Sequence, residues 1–193
     1  MSKVITISRE FGSGGKYIGE LVAKKLGIPC YDDAIVERVA EESGMMNDFV
    51  KKFGEYSPSK SLFAFSFVGR NSAGESIEDY LLKVQHDVIV NLAKQGPCVI
   101  VGRSADYILK GVVDTIDVFV YGDKKDKIER VMKYKNVSED EAKKLIRDTD
   151  KKRSINYRYY TAQTWGDYKN YTLMINSTAI GIEAAAEMIA KLY

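Results

Sequence analysis

Apolar residues occur along this chain in short continuous runs, and these runs alternate with longer segments whose apolar residues recur every three or four positions. An uninterrupted run is typical of a strand buried on both faces, whereas the longer spacing is typical of an amphipathic helix. The apolar runs cover residues 4–7, 30–31, 98–101, 115–121 and 171–176. The sequence therefore predicts an α/β fold in three layers, with about five parallel strands and helices on both faces of the sheet.

The segment 44–75 does not follow this alternation. It combines Gly, Ser, Pro and Asn with a cluster of phenylalanines, which indicates a small inserted lobe with its own apolar patch. A helix is expected over residues 77–93, and its histidine, His86, is interpreted as structural. The spacing of Ser138 and Glu141 predicts a capping box that opens a further helix. We expect one domain over residues 1–193, with the insertion at 44–75 and a helical lid over about residues 138–170.

The stretch ISREFGSGGKYIG joins the first predicted strand to the first predicted helix through a glycine-rich turn. A loop in that position presents N–H groups and the positive end of a helix dipole, and this arrangement attracts phosphate. An ordinary glycine turn is the alternative. We interpret the turn as a phosphate-binding loop and the fold as a P-loop kinase or NTPase core. The loop residues are Gly12, Ser13, Gly14, Gly15, Lys16 and Tyr17.

The composition excludes several classes of protein. With 193 residues, of which 45% are hydrophobic and 29% charged, the chain can fold as one domain and is neither disordered nor embedded in a membrane. Cys30 and Cys98 lie among apolar residues without metal-ligand spacing, which favours a reducing compartment. Because the N-terminus shows no signal-peptide pattern, we expect a cytoplasmic protein. The net charge of +2 gives no support for a nucleic-acid partner.

Charged residues follow the predicted carboxyl ends of several strands. Asp33 and Arg38 come after the second strand, and Arg103 follows the third. Ligand crevices of open α/β sheets lie at those ends, so these side chains are candidate binding residues. Asp33 is otherwise read as a helix N-cap. Seven basic residues against two acidic ones within residues 143–158 form a cationic segment, which either closes over the crevice or is a solvated helix face.

Four segments resemble the cytidylate kinase-like group of P-loop proteins, and a weaker resemblance extends to bacterial cytidylate kinase. They are ISREFGSGGKYIG, YDDAIVERV, CVIVGRSADYIL and KKRSINYRYYTAQTWGDYKNYTLMINS. The resemblance implies ATP-dependent phosphoryl transfer to a small acceptor, most readily a nucleoside monophosphate such as CMP. It also implies ATP and Mg²⁺ as cofactors, and small nucleotides rather than nucleic acid or membrane as partners.

The resemblance further implies roles for individual residues. Lys16 would contact the β- and γ-phosphates of the donor, as a catalytic residue, and Gly12 to Gly15 would cradle them. The acceptor side would consist of Asp33, Arg38, Arg70, Arg103 and Asp106. Catalytic cations of a mobile lid would be Lys152 and Arg153. Further lid cations would be Arg147, Lys151 and Arg158.

Four positions depart from the usual pattern. Glu10 stands where the first loop glycine is expected, Tyr17 replaces the magnesium-holding hydroxyl, Asp33 replaces a serine, and Ser104 replaces an aspartate. The metal ligand therefore stays open. Two further functions stay open as well: a nucleotide-binding module without kinase activity, and a kinase of a non-nucleotide metabolite whose hydroxyl is met by Asp33.

Overall fold

One parallel sheet forms the centre of the molecule in the computed structural model, which describes residues 3–46 and 76–193. Five strands of the described part pair in the order β2-β3-β1-β4-β5. The strands are β1 (Val4–Arg9), β2 (Cys30–Tyr31), β3 (Cys98–Val101), β4 (Thr115–Tyr121) and β5 (Leu173–Asn176). Each of them overlaps an apolar run of the sequence, and the predicted α/β fold is confirmed.

Helices cover both faces of this sheet. They are α1 (Gly15–Leu26), α2 (Asp33–Ser43), α3 (Ile77–Gln95), α4 (Ala105–Ile108), α5 (Lys124–Lys135), α6 (Glu139–Thr161), α7 (Ser177–Ile180) and α8 (Ile182–Leu192). One apolar core joins α1 and α8 to the sheet, and a second joins α2, α3 and α4 to the opposite face. The glycine-rich loop joins β1 to α1 and therefore lies at the carboxyl end of the central strand.

Residues of the central strand β1 contribute alternately to the two apolar cores. Val4 lies in the core beside α2 and α3, whereas Ile5 and Ile7 lie in the core beside α1 and α8. This alternation follows from the two-residue period of a strand. In the parallel register Val4 lies opposite Cys98 of β3 and Thr115 of β4. The carboxyl ends of β1, β3 and β4 consequently meet at one edge of the sheet.

Helices α5 and α6 pack against each other and against the glycine-rich loop. Ser138 and Glu141 make the predicted capping box at the start of α6, with both reciprocal hydrogen bonds present. A small apolar cluster joins the two helices and includes Phe11 from the glycine-rich loop; its buried members are Ile128, Val131, Ala142 and Ile146. The loop is thus packed between the sheet and the α5–α6 pair.

Several sequence expectations can be compared with this fold. Cys98 is buried and Cys30 is half-buried, and both are free thiols whose pKa is raised by burial to about 11. Most of the expected insertion, with its phenylalanines and Arg70, lies outside the described residues. Within residues 3–46 and 76–193, no helix has both the length and the apolar character that crossing a bilayer requires.

Candidate active site

The glycine-rich loop connects the end of β1 at Arg9 to the start of α1 at Gly15. Gly12 and Gly14 adopt left-handed backbone angles, with φ of 82° and 81°. These angles are strained for residues with a Cβ atom, so the turn requires glycine. Gly14 is the N-cap of α1, and no side chain caps it. The first N–H groups of α1, which have no partner within the helix, are therefore available to an anion.

The carbonyl groups of the loop are held by the surrounding protein. Ser13 Oγ donates to the Glu10 carbonyl at 2.8 Å, and Arg130 Nη1 donates to the Gly12 carbonyl at 3.2 Å. Ser177 Oγ donates to the Ser13 carbonyl at 2.6 Å and is itself fully buried. Three carbonyl groups are thus fixed by donors, which orders the loop without using the N–H groups of the first helical turn.

Glu10 has a structural role at the position where the usual pattern has glycine. Its Oε2 accepts hydrogen bonds from Lys127 Nζ at 2.8 Å and from the Gly122 amide at 3.3 Å. Lys127 is only 8% exposed, and its ammonium also lies 3.8 Å from Asp150 Oδ2. This departure from the P-loop pattern therefore anchors the start of the loop to α5 and α6.

Helix α6 is docked on the loop. Asp150 Oδ1 accepts a hydrogen bond from the Phe11 amide at 2.7 Å, and Arg153 Nη1 donates to the Arg9 carbonyl at 2.9 Å. Burial is the main cause that raises the pKa of Asp150. The expected mobile lid is therefore already in contact with the loop through two of its own side chains. Of the other lid candidates, Arg147, Lys151, Lys152 and Arg158 are exposed.

Lys16 extends from the first turn of α1 towards two carboxylates. Its Nζ lies 2.8 Å from Asp33 Oδ2 and 3.1 Å from Asp32 Oδ2. The hydrogen bond to Asp33 is the largest cause that raises the pKa of Lys16 above its ordinary value. Asp32 occupies the N-cap position of α2 without a capping hydrogen bond. The structure therefore brings Lys16 and Asp33 together, and their donor and acceptor roles stay predictions.

Arg9, which the sequence interpretation did not single out, lies beside Asp32 in this group of charged residues. Its side chain is 19% exposed and its Nη2 lies 3.7 Å from Asp32 Oδ1. Burial, together with the positive charges of Arg153 and Arg103, lowers the pKa of Arg9 to about 9. The available signal was its position, because the last residue of a central parallel strand lies at the ligand edge of the sheet.

Arg103 lies in a strained turn after β3. Arg103 and Ser104 have φ of 59° and 51°, and Gly102 before them is also left-handed. Left-handed conformations cost non-glycine residues about 1–2 kcal/mol each, and such strain is concentrated at functional sites. Arg38, another acceptor candidate, is half-buried and lies 5.9 Å from the centre of the Tyr31 ring.

Asp106 lies on α4 and contacts α6. It is 6% exposed, and its Oδ2 accepts a 2.6 Å hydrogen bond from the hydroxyl of Tyr157, which lies on α6. Burial raises the pKa of Asp106 to about 6. This hydrogen bond joins α4 to the carboxyl half of α6, and Asp106 also lines a surface pocket together with Asp117 and Tyr171. Its assignment to the acceptor side stays a prediction.

Few side chains of the described residues lie where they could coordinate a metal ion. In the described residues, no cluster of three or more His, Cys, Asp or Glu side chains could hold a metal by itself. Asp32 and Asp33, whose carboxylates lie beside Lys16, supply the hard oxygen ligands that Mg²⁺ takes. Their chemistry fits a Mg²⁺ ion that arrives with nucleotide phosphates, because such an ion needs only one or two protein carboxylates.

The sheet order, the loop after β1 and the charged residues at the strand ends together define a P-loop kinase fold. Residues 4–179 match the cytidylate kinase-like family. This match covers most of the chain, and the chain belongs to that family. No curated protein matches the sequence.

Solved structures agree with this assignment. An uncharacterised protein from Eubacterium ventriosum is 27% identical, with a TM-score of 0.75 over 98% of this chain and 96% of that chain. The shikimate kinase of Bacteroides thetaiotaomicron is 16% identical, with a TM-score of 0.53 over 100% and 98% of the two chains. The Mycobacterium tuberculosis APS kinase, solved with AMPPNP and APS, is 18% identical, with a TM-score of 0.53 over 99% and 96%. The two kinases share the fold of this chain.

Proposed function

We propose that this protein transfers the γ-phosphoryl group of ATP to a small acceptor, and that a nucleoside monophosphate such as CMP is the first acceptor to test. Membership of the cytidylate kinase-like family supports phosphoryl transfer in general. The kinase activity of this chain and the identity of its acceptor are our proposal.

The observation that carries the proposal is the position of Lys16. It follows the uncapped loop directly and lies within 3.1 Å of both Asp32 and Asp33. A triphosphate bound at the first turn of α1 would place its terminal phosphate beside this ammonium. Lys16 would then exchange its carboxylate partners for phosphate oxygens, which is a small movement for a half-exposed side chain.

Phosphoryl transfer needs positioning and charge neutralisation more than a protein nucleophile. The loop N–H groups and Lys16 would hold the donor, and the arginines at the ends of β1 and β3 would face the acceptor. Asp32 would hold Mg²⁺ together with the phosphates. When bound, that ion neutralises charge on the phosphate oxygens. Helix α6, docked over the loop, would limit the access of water to the transferred group.

A hydroxyl-bearing metabolite is the second candidate acceptor, and Asp33 favours it. Its carboxylate is 70% exposed and lies beside Lys16. A carboxylate repels an incoming phosphate but accepts a hydrogen bond or a proton from a hydroxyl. The variant Asp33→Asn separates the candidates. It should raise turnover if the acceptor presents a phosphate, and it should reduce turnover if Asp33 accepts the proton of a hydroxyl.

The test is a coupled assay of ADP formation with ATP and Mg²⁺ against a panel of nucleoside monophosphates and small hydroxyl compounds. We expect turnover with at least one acceptor and a loss of about 10²- to 10³-fold in Lys16→Met, the usual effect of removing one preorganised charge donor. Absence of turnover with every acceptor, despite calorimetric binding of ATP that Lys16→Met abolishes, would contradict the kinase proposal. It would favour a nucleotide-binding module without kinase activity.

A further inference from the structure

Helix α6 contacts two separate parts of the molecule through one of its faces. Asp150 and Arg153 lie on this face and hydrogen-bond to the backbone in the glycine-rich loop and at the end of β1. Tyr157 follows Arg153 by four residues, so it lies on the same face one turn further along. Tyr157 is 3% exposed, and its hydroxyl donates the 2.6 Å hydrogen bond to Asp106 on α4. One helix therefore joins the loop after β1 to the short helix after β3.

The turn between β3 and α4 has a strained backbone. Gly102, Arg103 and Ser104 have φ of 76°, 59° and 51°, so three successive residues are left-handed and two of them carry a Cβ atom. Strained residues of this kind persist only where the surrounding structure holds them. One side of the turn is held by the Gly102 amide, which donates to the Ile7 carbonyl of β1 at 3.0 Å.

Asp106 is placed to hold the other side of this turn. Ser104 is the N-cap residue of α4 and makes no side-chain capping hydrogen bond. The Asp106 carboxylate instead interacts with the backbone amides of Asp106 and Tyr107, which belong to the first turn of that helix. Helix α4 has only four residues, so its start depends on contacts of this kind. Because Tyr157 donates to the same carboxylate, it fixes this group against α6.

A contact that served stability alone would not need these polar groups. Asp106 is 6% exposed, and Asp117 acts on its carboxylate as a like charge. Burying one carboxylate near another destabilises the folded state, and apolar side chains of similar volume would pack at a lower cost. Some proteins retain a buried polar contact in spite of this cost because it specifies one arrangement of the elements that it joins.

We infer that Tyr157 is a positioning residue, which acts through Asp106 to hold the left-handed turn at Arg103 in a fixed relation to the docked helix α6. The strain of two left-handed residues is comparable with the contribution of one hydrogen bond to a charged group. Loss of the bond therefore shifts the turn about 10- to 100-fold towards right-handed backbone angles, and the Arg103 side chain then leaves its place near Arg9. The inference goes beyond the proposed function, and only its kinetic consequence rests on that function.

Nuclear magnetic resonance of the full chain tests the backbone of the turn directly. A left-handed residue gives a strong cross peak between its own amide proton and its Hα, because these two protons lie closer together at positive φ than at negative φ. The cross peaks of Arg103 and Ser104 are compared between the wild type and Tyr157→Phe, which keeps the ring and removes only the hydroxyl. Tyr159→Phe is the matched control, because Tyr159 lies on the same helix and is 58% exposed.

We expect both cross peaks to be strong in the wild type and in Tyr159→Phe, and to be lost or strongly weakened in Tyr157→Phe. Asp106→Ala removes the other partner of the hydrogen bond and should have the same effect. Strong cross peaks in both Tyr157→Phe and Asp106→Ala would overturn the inference, and a lower melting temperature with unchanged cross peaks is the result of a merely structural role. Weak cross peaks in the wild type, or their loss in Tyr159→Phe, would overturn it as well.

The kinetic consequence rests on the proposed function, because it takes Arg103 as a residue of the acceptor side. Tyr157→Phe should lower kcat/KM for the acceptor about 10- to 100-fold and leave KM for ATP unchanged, since the contacts of Asp150 and Arg153 with the loop remain. An unchanged kcat/KM for the acceptor in a variant that has lost the cross peaks would overturn the functional role of Tyr157. Absence of turnover in the wild type removes the proposed function, and the cross peaks then decide the inference by themselves.

Discussion

Replacement of Lys127 by methionine tests how the glycine-rich loop is held. The Lys127 ammonium lies 2.8 Å from Glu10 and 3.8 Å from Asp150, and the residue is 8% exposed. Methionine preserves much of the length and packing of the lysine stem but leaves the two carboxylates without this cation. Breaking a buried pair by removing one partner costs about 3–5 kcal/mol of the free energy of unfolding.

The assay is urea unfolding followed by circular dichroism, with thermal melts as a second measure. For a chain of this size, 1 kcal/mol shifts the melting temperature by about 2–4 °C, so Lys127→Met should melt about 6–20 °C lower. The matched control is Lys125→Met on the same helix, which should change stability by less than about 0.5 kcal/mol because it is a surface substitution.

A double-mutant cycle shows whether the carboxylate of Glu10 causes the loss. Glu10→Gln in the Lys127→Met background removes an unpaired charge, so the double variant should be more stable than the sum of the single effects by at least about 1 kcal/mol. The loss in Lys127→Met should also be smaller at pH 5 than at pH 8, because burial raises the pKa of Asp150 and this carboxylate takes up a proton once the cation is removed. We expect Lys127→Met to lose about 3–5 kcal/mol of the free energy of unfolding. A loss below about 1 kcal/mol would refute the conclusion that Lys127 anchors the loop through a buried ion pair.

Three further predictions concern the loop, the buried carboxylate and the start of α6. In Gly12→Ala the new Cβ would lie 2.9 Å from both the Lys127 carbonyl and Val131 Cγ2 at a φ of 82°, so nucleotide titration should show weaker binding and urea unfolding a loss of about 1–3 kcal/mol. The pKa of Asp106 is raised from 3.8 to about 6, so the folded state binds the extra proton and wild-type stability falls as the pH rises through that window. The stability of Asp106→Asn should not fall in this way, so its free energy of unfolding should gain up to about 3 kcal/mol relative to the wild type between pH 4 and 7, at about 1.36 kcal/mol per pKa unit. Parallel profiles of stability against pH for the two proteins would contradict this. Ser138→Ala removes the N-cap acceptor of α6 and should cost about 1 kcal/mol in the same unfolding assay.

The fold could be predicted because its signals are local. Continuous apolar runs identified the strands, and the Ser138 capping box identified the start of α6. The final strand begins at Leu173 instead of residue 171, since a 3₁₀ turn over Tyr168–Asn170 precedes it and the Tyr171 amide donates to the Tyr168 carbonyl at 3.3 Å. Boundaries of this kind depend on contacts between distant residues, which a local pattern does not contain.

The candidate site could be predicted only in part, for the same reason. The loop and Lys16 were recognised because glycine spacing is visible in sequence. Glu10 was read as a defect of the loop, since its partner Lys127 lies more than a hundred residues away. The hydrogen bond between Asp106 and Tyr157 could not be predicted, because the two residues lie 51 positions apart in the sequence and meet only through tertiary packing. Arg9 was missed because the apolar run ends at Ile7, so the sequence pattern did not show that β1 continues to Arg9 at the ligand end of the sheet.

The most direct test of this account is calorimetric titration of AMPPNP with Mg²⁺ into the wild type, Lys16→Met and Lys24→Met. Lys24 is an exposed lysine in the last turn of the same helix α1 and serves as the control. The account predicts that the wild type and Lys24→Met bind equally, and that Lys16→Met binds about 10- to 100-fold more weakly, as for loss of a charge-assisted hydrogen bond. Equal affinity in all three proteins, or no binding to the wild type, would contradict it.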